Sequence, residues 1–537
     1  MAEEKQRSGT GLPDWTSKDE RKGLDHLAIQ NACIQIYQSL LPGISNVTLR
    51  IRYYGFFAWL TLHYAVHVRN TNADVWRQFL RRAEALYALV TTRAHLNFRT
   101  SENQGVAGNT WAEGVLREER PEGRIEFHQS TDRGSAPQYL KQAFGVFGAA
   151  YGSQLQASGV LTTVDNHPIP VVSEAGKTLA AAFEASVGEV GLLFLAAAEN
   201  GVVTLAELDH MRAMGPEHIL KDGPERECYE ALLFGHIHPD WDSAGSRSQT
   251  LRLILQVARA NGLNVNEKDV RWALYAGCNV RGEELVYKKG SDSLHRYGWR
   301  VYQANDLLHV VYEALLKLSL DEASLYPAGL PLASLIAQVT ARLQRSLAAD
   351  WPAATWAELL DIVPLVANAA SEQDALSERK LSDFLVASSS SEALAEDEFA
   401  SHALLLLAVL HKRLDAELED IGEKYPVLVQ GGGTQTILTE FKFLRDAAHQ
   451  PLKEMLLRLL KSRVIERHMW VALQKFRGRG EYTFLLESDD GRLRKRMMTL
   501  PTLTTPRLHS AIAFLEDIHL LGDSGPTEAG LALLEAT

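Results

Sequence analysis

One sentence of this chain is written twice. Its first copy reads Ser158-Gly159-Val160-Leu161, then a polar loop, then Ser173-Glu174-Ala175-Gly176-Lys177-Thr178-Leu179. The second reads Ile518-His519-Leu520-Leu521-Gly522-Asp523-Ser524-Gly525, then Thr527-Glu528-Ala529-Gly530-Leu531-Ala532-Leu533. In both, an apolar helix runs out into a turn, and a Ser or Thr opens a new helix. The hydroxyl belongs there because the first backbone N–H groups of a helix have no partner within it. The Glu beside it suits the positive end of the helix dipole. A chain that repeats this start-and-stop grammar is built from small helical modules, not from a catalytic barrel.

The same grammar is common at the back of winged-helix domains, where a wing leads into a closing helix. The fold expected is therefore mainly α and multidomain, with two winged-helix-like units, one near residues 136–190 and one at the C-terminus. An apolar fraction of 46% over 537 residues supplies real cores. Punctuation divides the chain into a flexible arm (1–24), an N-terminal helical domain (25–190), a middle helical domain (191–350), an acidic helical segment with a Ser-rich linker at Ser388–Ser391 (351–432) and a basic C-terminal domain (433–537). Helices are expected at Leu24–Leu41, Val47–Val68, Ala73–Thr92 and Ala136–Gln156, and further on at Glu225–Phe234, Ser248–Asn261 and Phe399–Ile421. The run Phe56–Val68 is too short to span a bilayer and reads as a buried helix.

Charge is unevenly spread. The whole chain carries a formal −12, yet Phe441–Arg507 holds fifteen Lys or Arg against seven Asp or Glu, a net of +8. Ser371–Glu423 holds four against thirteen, a net of −9. A local surplus inside an acidic chain points to a nucleic-acid surface, or to two parts that attract each other. Within the surplus, Lys461–Phe476 reads as a helix with Lys and Arg outward. Tyr482–Leu486 and Leu493–Met498 read as strands joined by Ser488-Asp489-Asp490-Gly491, an Asp-Gly hairpin signal. Thr505 then caps a helix with Pro506 at its first position. The candidate DNA-binding residues are Lys461, Arg463, Arg467, Lys475, Arg477, Arg479, Arg492, Arg494, Lys495 and Arg496. The expected partner is duplex DNA, bound weakly and without sequence preference through its phosphates.

Other motifs carry less. His236-Ile237-His238-Pro239-Asp240-Trp241-Asp242 begins like the His-x-His-x-Asp-His run of metallo-β-lactamase-fold hydrolases, but Trp241 stands where the last His belongs. A metal-dependent hydrolase or nuclease using this cluster is the alternative function; the expectation is that no metal binds and that no cofactor is needed. His63 and His67 share a helix face, but Tyr64 replaces the Glu of a zincin motif, so both are assigned a structural role. Gly431-Gly432-Gly433 reads as a hinge, since no Gly-Lys-Ser/Thr follows. The cysteines Cys33, Cys228 and Cys278 are scattered and odd in number, which argues against a disulfide framework and fits a reducing cytoplasm. No signal peptide is legible in Met1–Thr10.

The block Leu41-Pro42-Gly43-Ile44-Ser45-Asn46-Val47-Thr48-Leu49-Arg50-Ile51-Arg52-Tyr53-Tyr54-Gly55-Phe56-Phe57-Ala58-Trp59-Leu60 resembles a family of uncharacterised large helical bacterial proteins associated with anti-phage defence loci. The resemblance extends over about the first two hundred residues, and it carries no catalytic residues. It implies a bacterial cytoplasmic subunit that works with other proteins of a defence complex, with a protein-only scaffold as the competing role. The residues of the block also speak for themselves. Pro42-Gly43 ends one helix, and Ser45 or Asn46 is placed to cap the next. Arg50 and Arg52 then fall near a helix N-terminus, where the dipole disfavours cations, so a compensating anion is required. A buried carboxylate is the expected one, with a bound phosphate as the alternative.

Overall fold

A computed structural model describes residues 25–535, except 102, 119–122, 132–137, 166, 236–244, 287–290, 349, 389–395 and 431–434. The arm at 1–24, most of the Ser-rich linker, the glycine run and the His236–Asp242 cluster lie outside the described residues. The chain is mainly helical, with short two- and three-stranded antiparallel pieces. Its described residues form two compact units: a first within 34–303, 367–372 and 505–535, and a second within 25–33, 304–366 and 373–504. These units cut across the segments read from sequence. The boundary expected at 190/191 falls inside the first unit, and the segment 433–537 is divided at 504/505. Among the described residues no single helix is long and apolar enough to cross a membrane.

The first unit is organised by the helix Arg52–His63, in which every residue from Arg52 to Thr61 is buried. Its rings interlock with those of neighbouring helices. Tyr53 lies 4.6 Å from Tyr151, and Phe56 lies 4.7 Å from Tyr87, centroid to centroid. Both pairs are tilted, and ring contacts at these separations add to the area that aromatic side chains bury. Gly55 permits a close approach: a Cβ there would sit 2.3 Å from the Tyr229 hydroxyl.

The cations at the start of this helix have the anions they require. Arg52 is fully buried, with Nε 2.9 Å from Glu225 Oε1 and Nη2 3.0 Å from Glu225 Oε2. Arg52 also donates to the Ala213 and Gly215 carbonyls and to Ser186 Oγ. Arg50 Nη2 lies 2.9 Å from Asp517 Oδ1, and the Ile51 N–H donates to Asp517 Oδ2 at 3.1 Å. Asp517 thus supplies the acceptor that the sequence assigns to Ser45 or Asn46. The helix begins later than the sequence implies, at Arg52, and no side chain of the preceding residue caps it. Burial lifts the Asp517 carboxyl to about 6 against the pull of Arg50.

Ala136–Gln156 is not one helix. A π-helical turn, Phe147–Tyr151, leads into Gly152–Ala157. Gly145 in the left-handed region ends the preceding turn. The buried Glu84 accepts the Val146 and Phe147 N–H groups at 2.8 Å each, which starts the helix again at that point.

The duplicated sentence is a duplicated structure. After the helix ending at Ala157, Gly159 turns left-handed, Leu161–Thr162 pairs with Val171–Val172, and Ser173 caps the helix Glu174–Val187. After Leu508–Asp517, His519 turns left-handed, Leu521–Gly522 pairs with Gly525–Pro526, and Glu528–Glu535 follows. The hydrogen bonds repeat atom for atom. Ser173 N donates to Val160 O and Thr527 N to Leu520 O, both at 3.1 Å. Ser173 Oγ donates to Gly159 O at 2.6 Å, and Thr527 Oγ1 to His519 O at 2.7 Å. The same hydroxyls accept from Gly176 N at 3.0 Å and Gly530 N at 3.2 Å. The glycine is obligatory in both copies, because a Cβ would lie 2.2 Å from Val160 O or from Leu520 O. Gly176→Ala and Gly530→Ala should therefore each cost roughly 1–3 kcal/mol by overpacking. Ser173→Ala should cost only about 1 kcal/mol, for the missing cap. Urea unfolding of the three variants checks the ranking; a Gly176→Ala protein as stable as wild type would contradict it.

In the second unit the helices Leu332–Ala348 and Glu378–Ser388 pack against Glu396–Leu414, and Leu332–Ala348 also packs against Leu452–Arg458; residues 304–320 of the helix Ser291–Ser324 are buried almost throughout. Its interior is partly polar, which no local pattern in the sequence announces. His309, fully buried, makes ion-pair contacts to Glu313 Oε1 at 3.1 Å and Asp306 Oδ1 at 3.7 Å. The same carboxylates accept backbone N–H groups of the loop before residue 505: Thr502 N on Glu313 at 3.0 Å and Thr504 N on Asp306 at 3.1 Å. Burial alone would lower the His309 pKa, but the two carboxylates outweigh it and raise it well above its ordinary value.

Candidate nucleic-acid interface

The basic stretch lies in the second unit, on one long helix and the hairpin after it. The helix is not regular. Leu452–Arg458 passes into a π-helical segment, Leu459–Ile465, and then into Glu466–Arg479. The π-turn shifts which residues face outward, so the face is not the row of Lys and Arg expected from sequence. From Glu466 onward, Trp470, Leu473 and Arg477 share the exposed side, at the i, i+3, i+7 spacing of one helix face. Trp470 is 44% exposed, Leu473 36% and Phe476 47%.

Several candidate cations instead serve the fold. Arg467 Nε donates to Leu27 O at 2.9 Å, and its guanidinium lies 4.7 Å from the Trp470 ring. Lys475 Nζ donates to Asp25 O. Arg463 is half-buried, 3.7 Å from the buried Glu440 and 4.9 Å from the Phe443 ring. The Arg467 and Lys475 bonds fasten residues 25–27 onto the helix. His468 does the same from within: its Nε2 accepts the Leu485 N–H at 2.9 Å, and its Nδ1 faces His26 O at 3.3 Å. Burial depresses the His468 pKa to about 4, in keeping with an acceptor nitrogen that carries no proton.

The hairpin follows the Asp-Gly signal. Leu486–Asp489 pairs with Arg492–Lys495, and Asp490 and Gly491 both take positive φ, 48° and 71°, as a tight primed turn requires. The strands are shifted from those expected, and only two residues form the turn. A third strand, Leu330–Pro331, pairs with Arg492–Leu493 and gives the sheet order 330–331, 492–495, 486–489. Alternation turns Leu493 inward and leaves Arg492 and Arg494 exposed, with Lys495 half-buried at the end. Arg494 pairs with Asp489 at 3.2 Å across the strands. Arg496 is held by Glu487 at 3.2 Å and lies 4.5 Å from the Tyr482 ring. Lys461 is exposed, 3.9 Å from Glu466, and Arg477 is exposed at the helix end. The Arg479 side chain lies outside the described residues.

The candidate cations thus separate into a solvent-facing set, Lys461, Arg477, Arg492 and Arg494, a half-buried Lys495 at the end of the strand, and a fold-holding set, Arg463, Arg467, Lys475 and Arg496. Sequence reasoning missed Trp470, Leu473 and Phe476. A Trp-x-x-Leu-x-x-Phe-Arg spacing is legible, but it looks like core until the π-turn rotates it outward. Thr505 and Pro506 also do not start the helix that follows the hairpin. Leu508–Asp517 begins after Arg507, which is left-handed at φ 67°, although Leu508, Ile512 and Leu515 are buried as expected.

The two histidine motifs have separate outcomes. His63 is half-buried with its ring 4.6 Å from that of His67, but His67 and Val66 are exposed because the helix loosens into a π-turn at Tyr64–Val68. The cluster His236, His238, Asp240 and Asp242 lies outside the described residues, and among the described residues no three His, Cys, Asp or Glu are placed to hold a metal. None of the three cysteines is in a disulfide. Compared with known proteins, the chain matches no family model, no curated protein and no solved structure.

Proposed function

We propose that this chain is a non-enzymatic nucleic-acid-binding subunit, and that the second unit uses the hairpin Leu486–Lys495 as a wing against the phosphate backbone. One observation carries the reading: the strand Arg492–Lys495 buries Leu493 and presents Arg492 and Arg494 to solvent. The sheet supports it as well. A short early strand pairs with the outgoing strand of a hairpin that follows a long helix, which is the strand order of a winged helix. The duplicated helix–hairpin–helix module of the first unit is the matching winged-helix-like element on that side. The resemblance of Leu41–Leu60 to proteins of defence loci favours a bacterial anti-phage complex as the setting for such a subunit, beside other protein subunits.

Non-specific duplex binding through a few phosphates should have a Kd on the order of 1–100 μM at physiological salt and weaken steeply as salt rises. Replacing Arg492, Arg494 and Lys495 together by Ala should reduce affinity and flatten the salt slope by nearly one unit for each phosphate no longer neutralised. Fluorescence anisotropy of the full chain with a labelled duplex reads both quantities. A triple variant that binds with the wild-type slope would remove the hairpin from the interface. Absence of binding by wild type even at low salt would leave a protein-only scaffold.

A further inference from the structure

The exposed face of the helix Glu466–Arg479 is wrong for duplex DNA alone. Its centre is aromatic and apolar, and phosphates do not select for that. Trp470, Leu473 and Phe476 are each more than a third exposed. Trp470 and Phe476 are six residues apart, so they stand about 9 Å apart along the axis and about a third of a turn apart around it. The aromatic row therefore winds from the outer face to the helix flank. There Phe476 meets Tyr482 edge-on at 5.9 Å, and Tyr482 meets Phe484 at 5.1 Å. Guanidinium planes lie on the row at both ends, Arg467 over Trp470 and Arg496 over Tyr482. Arg477 is exposed beside it, and the cations of the hairpin follow in sequence.

We propose that this row is a stacking platform for an unpaired nucleic-acid strand, with bases on Trp470 and Phe476 and phosphates on Arg477 and the hairpin cations. The proposal rests on the nucleic-acid reading above and narrows it from duplex to single strand. The occupant is set by charge complementarity: a ligand that offers flat aromatic faces and repeated negative charge matches exposed rings with guanidinium groups against them and an exposed Arg477 next to Phe476. Stacking on exposed rings combined with a basic track is how single strands are held without regard to sequence. Bases locked in a duplex offer no free faces, so the aromatic row is useless to a duplex except at its ends.

The test uses the full chain and three labelled probes at low salt: a thymidine 20-mer, a 20-mer of abasic sites and a 20-base-pair duplex. The thymidine strand should bind more tightly than the abasic one. Trp470→Ala and Phe476→Ala should each weaken thymidine-strand binding by roughly 5- to 100-fold and leave duplex binding unchanged, whereas Trp470→Phe should retain most of it. Circular dichroism of each variant confirms that an exposed substitution has left the fold intact. Equal binding of the abasic and thymidine strands would overturn the platform while leaving the phosphate reading standing, and so would Ala variants that bind the thymidine strand like wild type. Loss of strand and duplex binding to the same extent in Trp470→Ala would also overturn it. If no probe binds wild type, the nucleic-acid reading itself fails, and the row is then a docking face for protein.

Discussion

Arg52→Ala should destabilise the first unit about as much as truncating one of its large buried aromatic side chains. The expected loss is roughly 3–5 kcal/mol, because the change strands a buried carboxylate without its cation. Glu225 is 2% exposed and gives both oxygens to Arg52, while Tyr229 and Ser186 donate to it as well. Once Arg52 is gone, those two hydroxyls cannot replace a charge. Glu225 then either takes up a proton or draws in water, and both outcomes cost stability. Removing both partners should hurt less than removing one, so Arg52→Met/Glu225→Met should recover part of the loss. Denaturant unfolding of the single and double variants, arranged as a double-mutant cycle, measures this. A single variant that loses under about 1 kcal/mol would mean that the pair is solvated in solution.

The second large effect is expected at His309. His309→Leu leaves Asp306 and Glu313 facing the same buried space with no cation between them, and the cost should again be roughly 3–5 kcal/mol. Here pH gives an independent sign. The folded-state pKa of His309 is raised above its unfolded value of 6.5 by Glu313 and Asp306. Its contribution is therefore fully present below about pH 6.5 and declines as pH rises towards the folded pKa. Wild-type stability should fall on going from pH 6.5 to higher pH by an amount that His309→Leu abolishes. A variant whose pH profile stays parallel to wild type would show that His309 is neutral in the fold.

These two sites also mark what can be read in the sequence. Arg50 and Arg52 announce a compensating anion because two cations at a helix start are electrostatically awkward. The partners, Glu225 and Asp517, lie far away in sequence, and nothing local picks them out. The Ser173 and Thr527 modules are legible because capping is local: hydroxyl, glycine and left-handed turn all fall within a few residues. The Asp490-Gly491 hairpin is legible for the same reason. The strand Leu330–Pro331, which completes its sheet, is not, since its pairing is set by tertiary contact. The outward face of the basic helix is misread through a single local event. A π-helical segment at Leu459–Ile465 shifts the register, so periodicity counted from Lys461 points the wrong residues to solvent. The compact units differ from the segments read by punctuation because residues 505–535 follow the basic hairpin in sequence yet pack with residues 34–303.

The central claim is that residues 461–496 meet nucleic acid, with rings for bases and hairpin cations for phosphates. Photo-crosslinking tests it most directly. A 4-thiothymidine-substituted single strand is bound to the full chain at low salt and irradiated, and the attached peptides are identified by mass spectrometry. The account predicts crosslinks on peptides that contain Trp470, Phe476 or Arg492–Lys495, and their disappearance when salt is raised. Crosslinks confined to peptides outside residues 461–496, or no crosslinked protein at all, would contradict it.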